Sequence, residues 1–243
     1  MKAKYNIYFW SLLAFSFFVC CDYSDSNPDF LLEAVFMAND ERLLNYDAVN
    51  ETEREPFFIE EFDNNNSQFP YQEGTYTEKT VSVANGKMTI KYFVDNGYMH
   101  FKSVPFEIDE RRNFEMETSL IVYRGLGQTL AWLPNRASGY EYVITYNQVE
   151  DSDKNKIETI RLRKFINDDW EAIDGYDFNA KDFLNSDGFT ILTIRKIGNK
   201  YAIFINYKLF YIINDENFSC VPAITMDDPV VNVFDYFRIY YLP

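Results

Sequence analysis

Several carboxylates stand close together near the middle of the chain, and a pair of carboxylates is what most glycosidases use to cleave a sugar bond. Glu107 and Asp109 lie two residues apart, Glu110 follows directly, and Arg112 takes the position three residues beyond Asp109. A retaining glycosidase needs its two carboxyl groups about 5 Å apart, and neighbouring side chains of an extended chain point to opposite faces. Arg112 supplies no carboxylate, and Glu110 points to the face opposite Asp109, so we expect a solvated strand edge and loop here.

Other catalytic groups are scarce in this sequence. Glu115 and Glu117 share one face of an extended segment, but carboxylates two residues apart do not bracket a sugar bond unaided. His100 is the only histidine, and Cys220 is the only cysteine beyond residue 21. No zinc-ligand spacing occurs, and nothing places a Cys-His pair. We therefore predict no metal, no cofactor and no catalytic residue, and we expect Cys220 to be a buried free thiol.

Aromatic residues with polar neighbours are the pattern that favours ligand binding. Flat rings can stack on the apolar faces of sugars, while arginine and glutamate side chains can hydrogen-bond the hydroxyls. The candidate residues are Trp132, Tyr142, Trp170, Arg124, Glu141 and Arg161. Core packing is the alternative for each ring, because aromatic residues are as frequent in cores as in binding sites. We expect a site on the sheet that carries Trp132 and Tyr142, with Arg161 near it.

The charge of the chain excludes some partners. The formal net charge is −15, and it becomes more negative if Lys2 and Lys4 leave with an N-terminal leader. A surface this acidic repels phosphate backbones, so we expect no nucleic-acid partner. It also disfavours anionic ligands and electrostatic docking on anionic lipid.

The N-terminus has the parts of an export signal. Lys2 and Lys4 precede an apolar run over 7–19 that is too short for a comfortable membrane span, and Cys20 and Cys21 follow it. A cysteine at this switch from apolar to polar residues resembles the lipobox of bacterial lipoproteins, in which a small residue precedes the lipidated cysteine. Cys21 fits better than Cys20 because its preceding residue is the smaller one. A plain cleaved signal peptide is the alternative.

These features divide the chain into three parts. We expect a lipoprotein-type signal peptide over 1–21, a tether with one local element over 22–55, and a single domain over 56–243. Acidic residues follow Cys21, as in the export signal of some surface lipoproteins. The expected location is the cell envelope, with the protein held on a bacterial membrane by an N-terminal lipid and exposed at the cell surface.

The clearest folding signal runs over 189–213. Apolar and other residues alternate from Thr190 to Ile194, which is the period of a strand. Gly198-Asn199 closes two-residue hairpins, and a further strand follows Asn206-Tyr207. The residues that we expect to face the core are Leu192, Ile194, Phe237 and Ile239.

Further strands come at short intervals, separated by turn residues. Asp95-Asn96-Gly97 predicts a hairpin that pairs 88–94 with 98–103. The other predicted strands are 57–62, 113–123, 129–133, 139–147, 159–165, 170–173 and 230–242. Strands at this spacing, with no convincing long helix, predict an all-β fold, either a sandwich or a barrel.

Six short motifs occur in order after Pro56. They are Phe62-Asp63-Asn64-Asn65, Gly86-Lys87-Met88-Thr89-Ile90, the segments 108–120, 130–132 and 192–206, and the final segment 235–242. Together they resemble the concanavalin A-like jelly-roll modules of bacterial exported proteins. Each motif is a turn or a core strand, so the resemblance implies an antiparallel β-sandwich and leaves the activity open.

Jelly rolls of this kind include lectins, enzymes and inert spacers. The sequence favours a binding module, with a glycan as the ligand class. The alternatives are a sugar-processing hydrolase of the same fold and a non-catalytic structural or interaction module. In laminarinase-type hydrolases, which share the fold, the catalytic strand carries Glu-x-Asp-x-x-Glu, and Arg112 interrupts that pattern here.

One turn departs from the family pattern. Asn206-Tyr207 stands where Asn-Gly or Asn-Asp is frequent in the family. A two-residue type I′ turn forces both of its central residues to positive φ, which is unfavourable for a bulky side chain. We therefore expect an altered turn at Tyr207.

Overall fold

The computed structural model describes most of the chain after residue 39, as strands with a few short helical turns. The described residues are 40–63, 74–75, 79–92, 98–101, 108–122, 128–135, 140–150, 156–166, 169–185, 188–214, 224–227 and 230–243. The helical elements are α1 (Glu41–Leu44) and three 3-10 turns, Tyr46–Ala48, Glu51–Glu53 and Ala180–Asp182. The strands are β1 (Glu55–Glu60), β2 (Gly74–Thr75), β3 (Lys79–Ala84), β4 (Lys87–Tyr92), β5 (Tyr98–Phe101), β6 (Asn113–Val122), β7 (Gln128–Asn135), β8 (Tyr140–Glu150), β9 (Lys156–Ile166), β10 (Asp169–Asn179), β11 (Thr190–Ile197), β12 (Lys200–Ile205), β13 (Lys208–Ile213), β14 (Ile224–Asp227) and β15 (Val230–Leu242).

The described strands form three sheets, and every pairing among them is antiparallel. The large sheet has the order β13-β12-β11-β6-β15-β4-β3-β2, and β1 also pairs with β15. A second sheet has the order β10-β9-β8-β7, and β14 pairs with β5 in a two-stranded ribbon. The fold is therefore an all-β antiparallel one, as the sequence predicts.

The core lies between the large sheet and the four-stranded sheet. Met116 on β6 and Ile194 on β11 are fully buried, and they belong to the same apolar cluster as Ile160 and Leu162 on β9. Alternation along each strand sends every second residue inward. The four residues predicted to face the core, Leu192, Ile194, Phe237 and Ile239, are all members of this cluster. The sandwich prediction and these core positions are confirmed.

Two tight turns use residues that tolerate positive φ. Gly198 has a φ of 60° between β11 and β12, where Ile197 pairs with Lys200, so the predicted Gly198-Asn199 hairpin is confirmed. Asn85 and Gly86 have φ of 56° and 68° between β3 and β4. A Cβ on Gly86 would also come within 3.3 Å of the Asp63 carboxylate.

The hairpin predicted around Asp95-Asn96-Gly97 is wrong in its pairing. The strand β4 pairs with β3 on one edge and with β15 on the other, whereas β5 pairs with β14. A strand has only two edges for hydrogen bonding, so β4 has none left for β5. His100 lies in β5 opposite Thr225, an ordinary strand position. The turn residues 95–97 themselves lie outside the described part of the chain.

The turn at Asn206-Tyr207 keeps only two residues, so our expectation of an altered turn is wrong. Asn206 and Tyr207 have φ of 48° and 67°, and β12 and β13 pair up to the turn on both sides. The Asn206 side chain fixes this geometry. Its Oδ1 accepts a hydrogen bond from the Ile191 N–H (2.8 Å), and its Nδ2 donates one to the Phe183 carbonyl (2.6 Å).

The body of the protein begins before Pro56. The compact unit starts at Asp40, and residues 40–54 contain one helical turn and two 3-10 turns. Leu43 and Val49 are buried, so this segment packs on the body. Within the predicted tether of 22–55, the structure describes only residues 40–55, which contain these three turns and the first residue of β1.

Helices in the described part of the chain are short. None of them is both long enough and apolar enough to cross a membrane.

Candidate functional site

The residues of the predicted sugar site lie mainly on the four-stranded sheet. Trp132 is in β7, Glu141 and Tyr142 are in β8, and Arg161 is in β9. Four other residues that the sequence analysis singled out lie outside the described residues: Arg124, Glu107, Cys21 and Cys220.

Strand register brings three of the predicted residues to one face of this sheet. Trp132 pairs with Val143, and Arg161 pairs with Thr145. Paired residues share a face, as do residues two apart on one strand. Since Glu141, Val143 and Thr145 are two apart along β8, Trp132, Glu141 and Arg161 all lie on the same face.

The same register separates Tyr142 from that group. Arg161 stands between Ile160 and Leu162, which are fully buried in the core. By strand alternation Arg161 lies on the sheet face opposite to that of Ile160 and Leu162, which we call the outer face. Tyr142 pairs with Lys164, two residues beyond Leu162, and so belongs to the core face.

Sequence reasoning missed two residues on this outer face. Arg163 lies two residues beyond Arg161 on β9, and Asp177 on β10 pairs with Arg161. Trp170 lies in the same row across the strands as Glu141. The alternation of Arg161 and Arg163 around Leu162 was the available signal. We call Trp132, Glu141, Arg161, Arg163, Trp170 and Asp177 the outer-face group.

A second polar cluster lies on the large sheet, on the face away from the core. Phe114 and Met116 on β6 are buried in the core, so Glu115 and Glu117 lie on the opposite face. Arg195 on β11 pairs in register with Glu115, and its Nε donates to the Glu115 carboxylate at 2.6 Å. The Arg195 and Glu115 side chains are 0% and 1% exposed. Such an ion pair holds only when its remaining hydrogen-bonding groups are also satisfied.

Residues 40–54 satisfy those groups. Arg195 Nη1 donates to the carbonyls of Arg42 (2.7 Å) and Asn45 (3.0 Å), and Nη2 donates to that of Tyr46 (2.8 Å). Arg54 Nε donates to the other oxygen of Glu115 at 2.8 Å. These hydrogen bonds therefore hold residues 40–54 against the large sheet. Among the described residues, Arg54 Nη2 is the buried side-chain nitrogen without a hydrogen-bond partner.

Glu117 is held by hydroxyl groups. It accepts hydrogen bonds from Tyr46 Oη (2.7 Å), Tyr236 Oη (2.8 Å) and Thr193 Oγ1 (3.2 Å). Burial and the negative charge of Glu117 raise the pKa of both tyrosines well above the usual range. Both phenols therefore stay protonated and keep donating. Tyr207 completes this group, because its ring centroid lies 4.6 Å from that of Tyr46. We call Tyr46, Tyr207 and Tyr236 the tyrosine cluster.

The described carboxylates of this region are engaged in structural contacts. Both oxygens of Glu115 and both oxygens of Glu117 accept hydrogen bonds from the groups named above. Asp109 is paired with Arg111 at 2.9 Å, and Arg112 is paired with Glu55. Within the described ranges no group of three or more His, Cys, Asp or Glu residues could hold a metal ion. This arrangement can hold residues 40–54 on the large sheet and support the rings of the tyrosine cluster.

Comparisons with known proteins identify the fold. No family model and no curated protein matches the chain. A xylan beta-1,4-xylosidase from Bacillus halodurans is similar in structure, with a TM-score of 0.51 and 10% identity over 75% of this chain and 38% of that one. A non-specific endo-beta-1,3(4)-glucanase of family GH16 has a TM-score of 0.51 and 11% identity over 80% of this chain and 93% of that one.

A third similar structure is a Bacillus subtilis protein of unknown function with a galectin-like fold. It has a TM-score of 0.51 and 10% identity over 77% of this chain and 97% of its own. Identities this low establish the fold and leave the activity open. The chain spans little more than a third of the xylosidase, so it corresponds to one part of that enzyme. Together with the two stacked antiparallel sheets, these likenesses establish that the protein has a concanavalin A-like jelly-roll fold.

Proposed function

We propose that the protein is an exported, lipid-anchored jelly-roll module that binds a glycan on the outer face of its four-stranded sheet. The observation that carries the proposal is the strand register that brings Trp132, Glu141 and Arg161 together on that face. Adjacent strands are about 4.8 Å apart, so the three residues extend across a width that one or two sugar rings cover.

The chemistry of these residues fits sugar recognition. An indole ring can stack on the apolar face of a pyranose, while a carboxylate and a guanidinium hydrogen-bond its hydroxyls from opposite sides. Arg163 and Asp177 supply further polar groups on the same face, and Trp170 supplies a second indole. Several weak contacts of this kind give modest affinity that depends on all of them.

The similar structures support the ligand class. The xylosidase and the glucanase are described as acting on xylan and on a beta-glucan, and a third similar structure has a galectin-like fold. These likenesses motivate the choice of neutral β-linked oligosaccharides as the first probes. Hydrolysis by the carboxylates of β6 is disfavoured, because Glu115 and Glu117 are engaged with arginines and hydroxyls.

Titration of xylohexaose and laminarihexaose into the purified protein tests the proposal. We expect Trp132→Ala to weaken binding at least about fivefold, the loss that one stacked ring produces, while Trp132→Phe retains most of it. Tyr142→Phe is the matched control, since Tyr142 belongs to the core face and should not affect affinity. Isothermal titration calorimetry measures the affinities, and thermal unfolding checks that each variant is folded.

Two outcomes would contradict this site. Equal affinity of folded Trp132→Ala and wild type would exclude Trp132 from ligand contact. Unfolding of Trp132→Ala would assign the indole to packing. Chromatography of the same mixtures for shortened sugars tests the alternative of a hydrolase.

The proposed anchoring rests on the cysteine at the end of the apolar N-terminal run. We expect mass spectrometry of the membrane fraction to show a lipidated N-terminal peptide that begins at Cys21. Stable anchoring needs more than one acyl chain, and in this proposal the N-terminal Cys21 carries them. Cys21→Ser should therefore release the protein to the soluble fraction, while Cys20→Ser should not. An unmodified N-terminus on wild-type protein in the soluble fraction would refute the anchor.

A further inference from the structure

Tyr207 combines a backbone conformation that is rare for a tyrosine with an exposed position. Its backbone lies in the left-handed region, with a φ of 67°, and the residue is 50% exposed at the tip of the β12–β13 hairpin. Glycine fits this position without strain, whereas a bulky residue does not. Backbone strain of this kind tends to occur at functional sites. Tyr207 therefore keeps an unfavourable backbone conformation while its ring is exposed to solvent.

The surroundings of Tyr207 are rigid. Asn206 donates its N–H to the Ile191 carbonyl (2.8 Å), and its side chain makes the two bonds described above. Tyr46, which packs against Tyr207, is fixed at both ends, because its hydroxyl is bonded to Glu117 and its carbonyl accepts from Arg195. One side of the Tyr207 ring thus packs against Tyr46, while the remainder of the residue is exposed to solvent.

The polar groups beside the Tyr207 ring are hydroxyls that can accept a hydrogen bond. The hydroxyls of Tyr46 and Tyr236 donate to Glu117, so their oxygens keep lone pairs with which to accept a bond. Burial and the charge of Glu117 raise the pKa of Tyr207 as well, which keeps this phenol neutral. These hydroxyl oxygens suit a ligand that brings hydrogen-bond donors.

The charges around the cluster balance. The charged side chains bonded in or beside the cluster include Arg54, Arg195, Arg238, Glu61, Glu115 and Glu117, three of each sign. Asp47 and Lys208, which follow Tyr46 and Tyr207 in the chain, add one charge of each sign. Arg238 is bonded to Glu61 at 2.8 Å and 3.1 Å. A balanced surface on a strongly acidic protein gives an anionic ligand no electrostatic gain. The ligand that fits best is uncharged.

We propose that the tyrosine cluster is a second ligand site, which binds a neutral saccharide on the large sheet. The open side of the Tyr207 ring stacks on the sugar, and sugar hydroxyls donate to the oxygens of Tyr46 and Tyr236. This site lies on a different sheet from the outer-face group and does not depend on the function proposed for it. The positive φ of Tyr207 places its ring at the tip of the hairpin, where a ligand can reach it.

Fluorine NMR of protein labelled with 3-fluorotyrosine tests the proposal, with xylohexaose and laminarihexaose as probes. Tyr207→Phe assigns the Tyr207 resonance. We expect that resonance to move in a saturable way with at least one probe, and Tyr207→Gly to weaken the response of Tyr46 and Tyr236 at least about fivefold. Tyr207→Gly should unfold at the same or a higher temperature than wild type, because glycine relieves the strain.

The opposite results would overturn this second site. No shift of the Tyr207 resonance with either probe at tens of millimolar, or a shift only with oligogalacturonate as an acidic probe, would exclude neutral saccharide binding. A lower unfolding temperature for Tyr207→Gly would mean that the ring serves to pack on Tyr46. The Trp132→Ala background separates the two proposals, since the Tyr207 shift should persist there even if the outer-face group binds nothing.

Discussion

Replacing Arg195 with methionine is expected to lower the free energy of unfolding by about 3–5 kcal/mol, the range for breaking a buried ion pair from one side. The guanidinium is fully buried and bonds to Glu115 and to three backbone carbonyls of residues 40–46. Methionine fills much of the same volume but leaves those carbonyls without a donor, and buried acceptors without donors are costly. Urea denaturation followed by circular dichroism measures the change.

Arg238→Met is the matched control on the same face of the same sheet. Arg238 is partly exposed and pairs with the exposed Glu61, so its loss should cost no more than about 1 kcal/mol. The Arg195 variant should also expose residues 40–54, which we expect to appear as faster trypsin cleavage at Arg42 and Arg54. Equal losses of stability in the two variants would contradict the role of Arg195 in holding residues 40–54 on the large sheet.

Ile194→Ala is expected to destabilise the fold by about 2–5 kcal/mol, as truncations of buried isoleucine do. Ile194 is fully buried at the centre of the large sheet, paired with Met116 on β6 and Ile203 on β12. Both neighbours are held by their own strand pairings, so the cavity cannot close freely. The midpoint of urea unfolding should fall while its slope stays unchanged.

Ile59→Ala provides the comparison at an exposed position. Ile59 is 48% exposed on β1, and its truncation should change stability by no more than about 0.5 kcal/mol. If Ile194→Ala were as stable as Ile59→Ala, the assignment of Ile194 to the core between the sheets would be wrong.

Much of the fold was predictable because strand faces are encoded locally. Alternation from Thr190 to Ile194 placed Ile194 in the core, and Gly198 marked a turn where positive φ is needed. The last strand was predicted with the bounds that β15 has. A period of two shows which residues share a face, whatever partner the strand finds.

The candidate sites were predictable only in part. Trp132 and Arg161 were chosen by residue type, and register then put them together on one face while assigning Tyr142 to the other. Strand spacing alone argues against a catalytic role for Glu115 but gives no sign of its pairing with Arg195. Eighty residues separate these two along the chain, and no local pattern records such a pair.

The strand character of most segments, the faces of Leu192, Ile194, Phe237 and Ile239, and the turn at Gly198 could be predicted from the amino-acid sequence, since all of these depend on neighbours in the chain. Which strands pair depends on the complete fold. The partners of β4 are β3 and β15, because the free energy of pairing depends on the core that the whole sheet buries. The tertiary structure also decided the turn at Tyr207. Local preference opposes positive φ there, and the two hydrogen bonds of the Asn206 side chain hold the turn in that conformation.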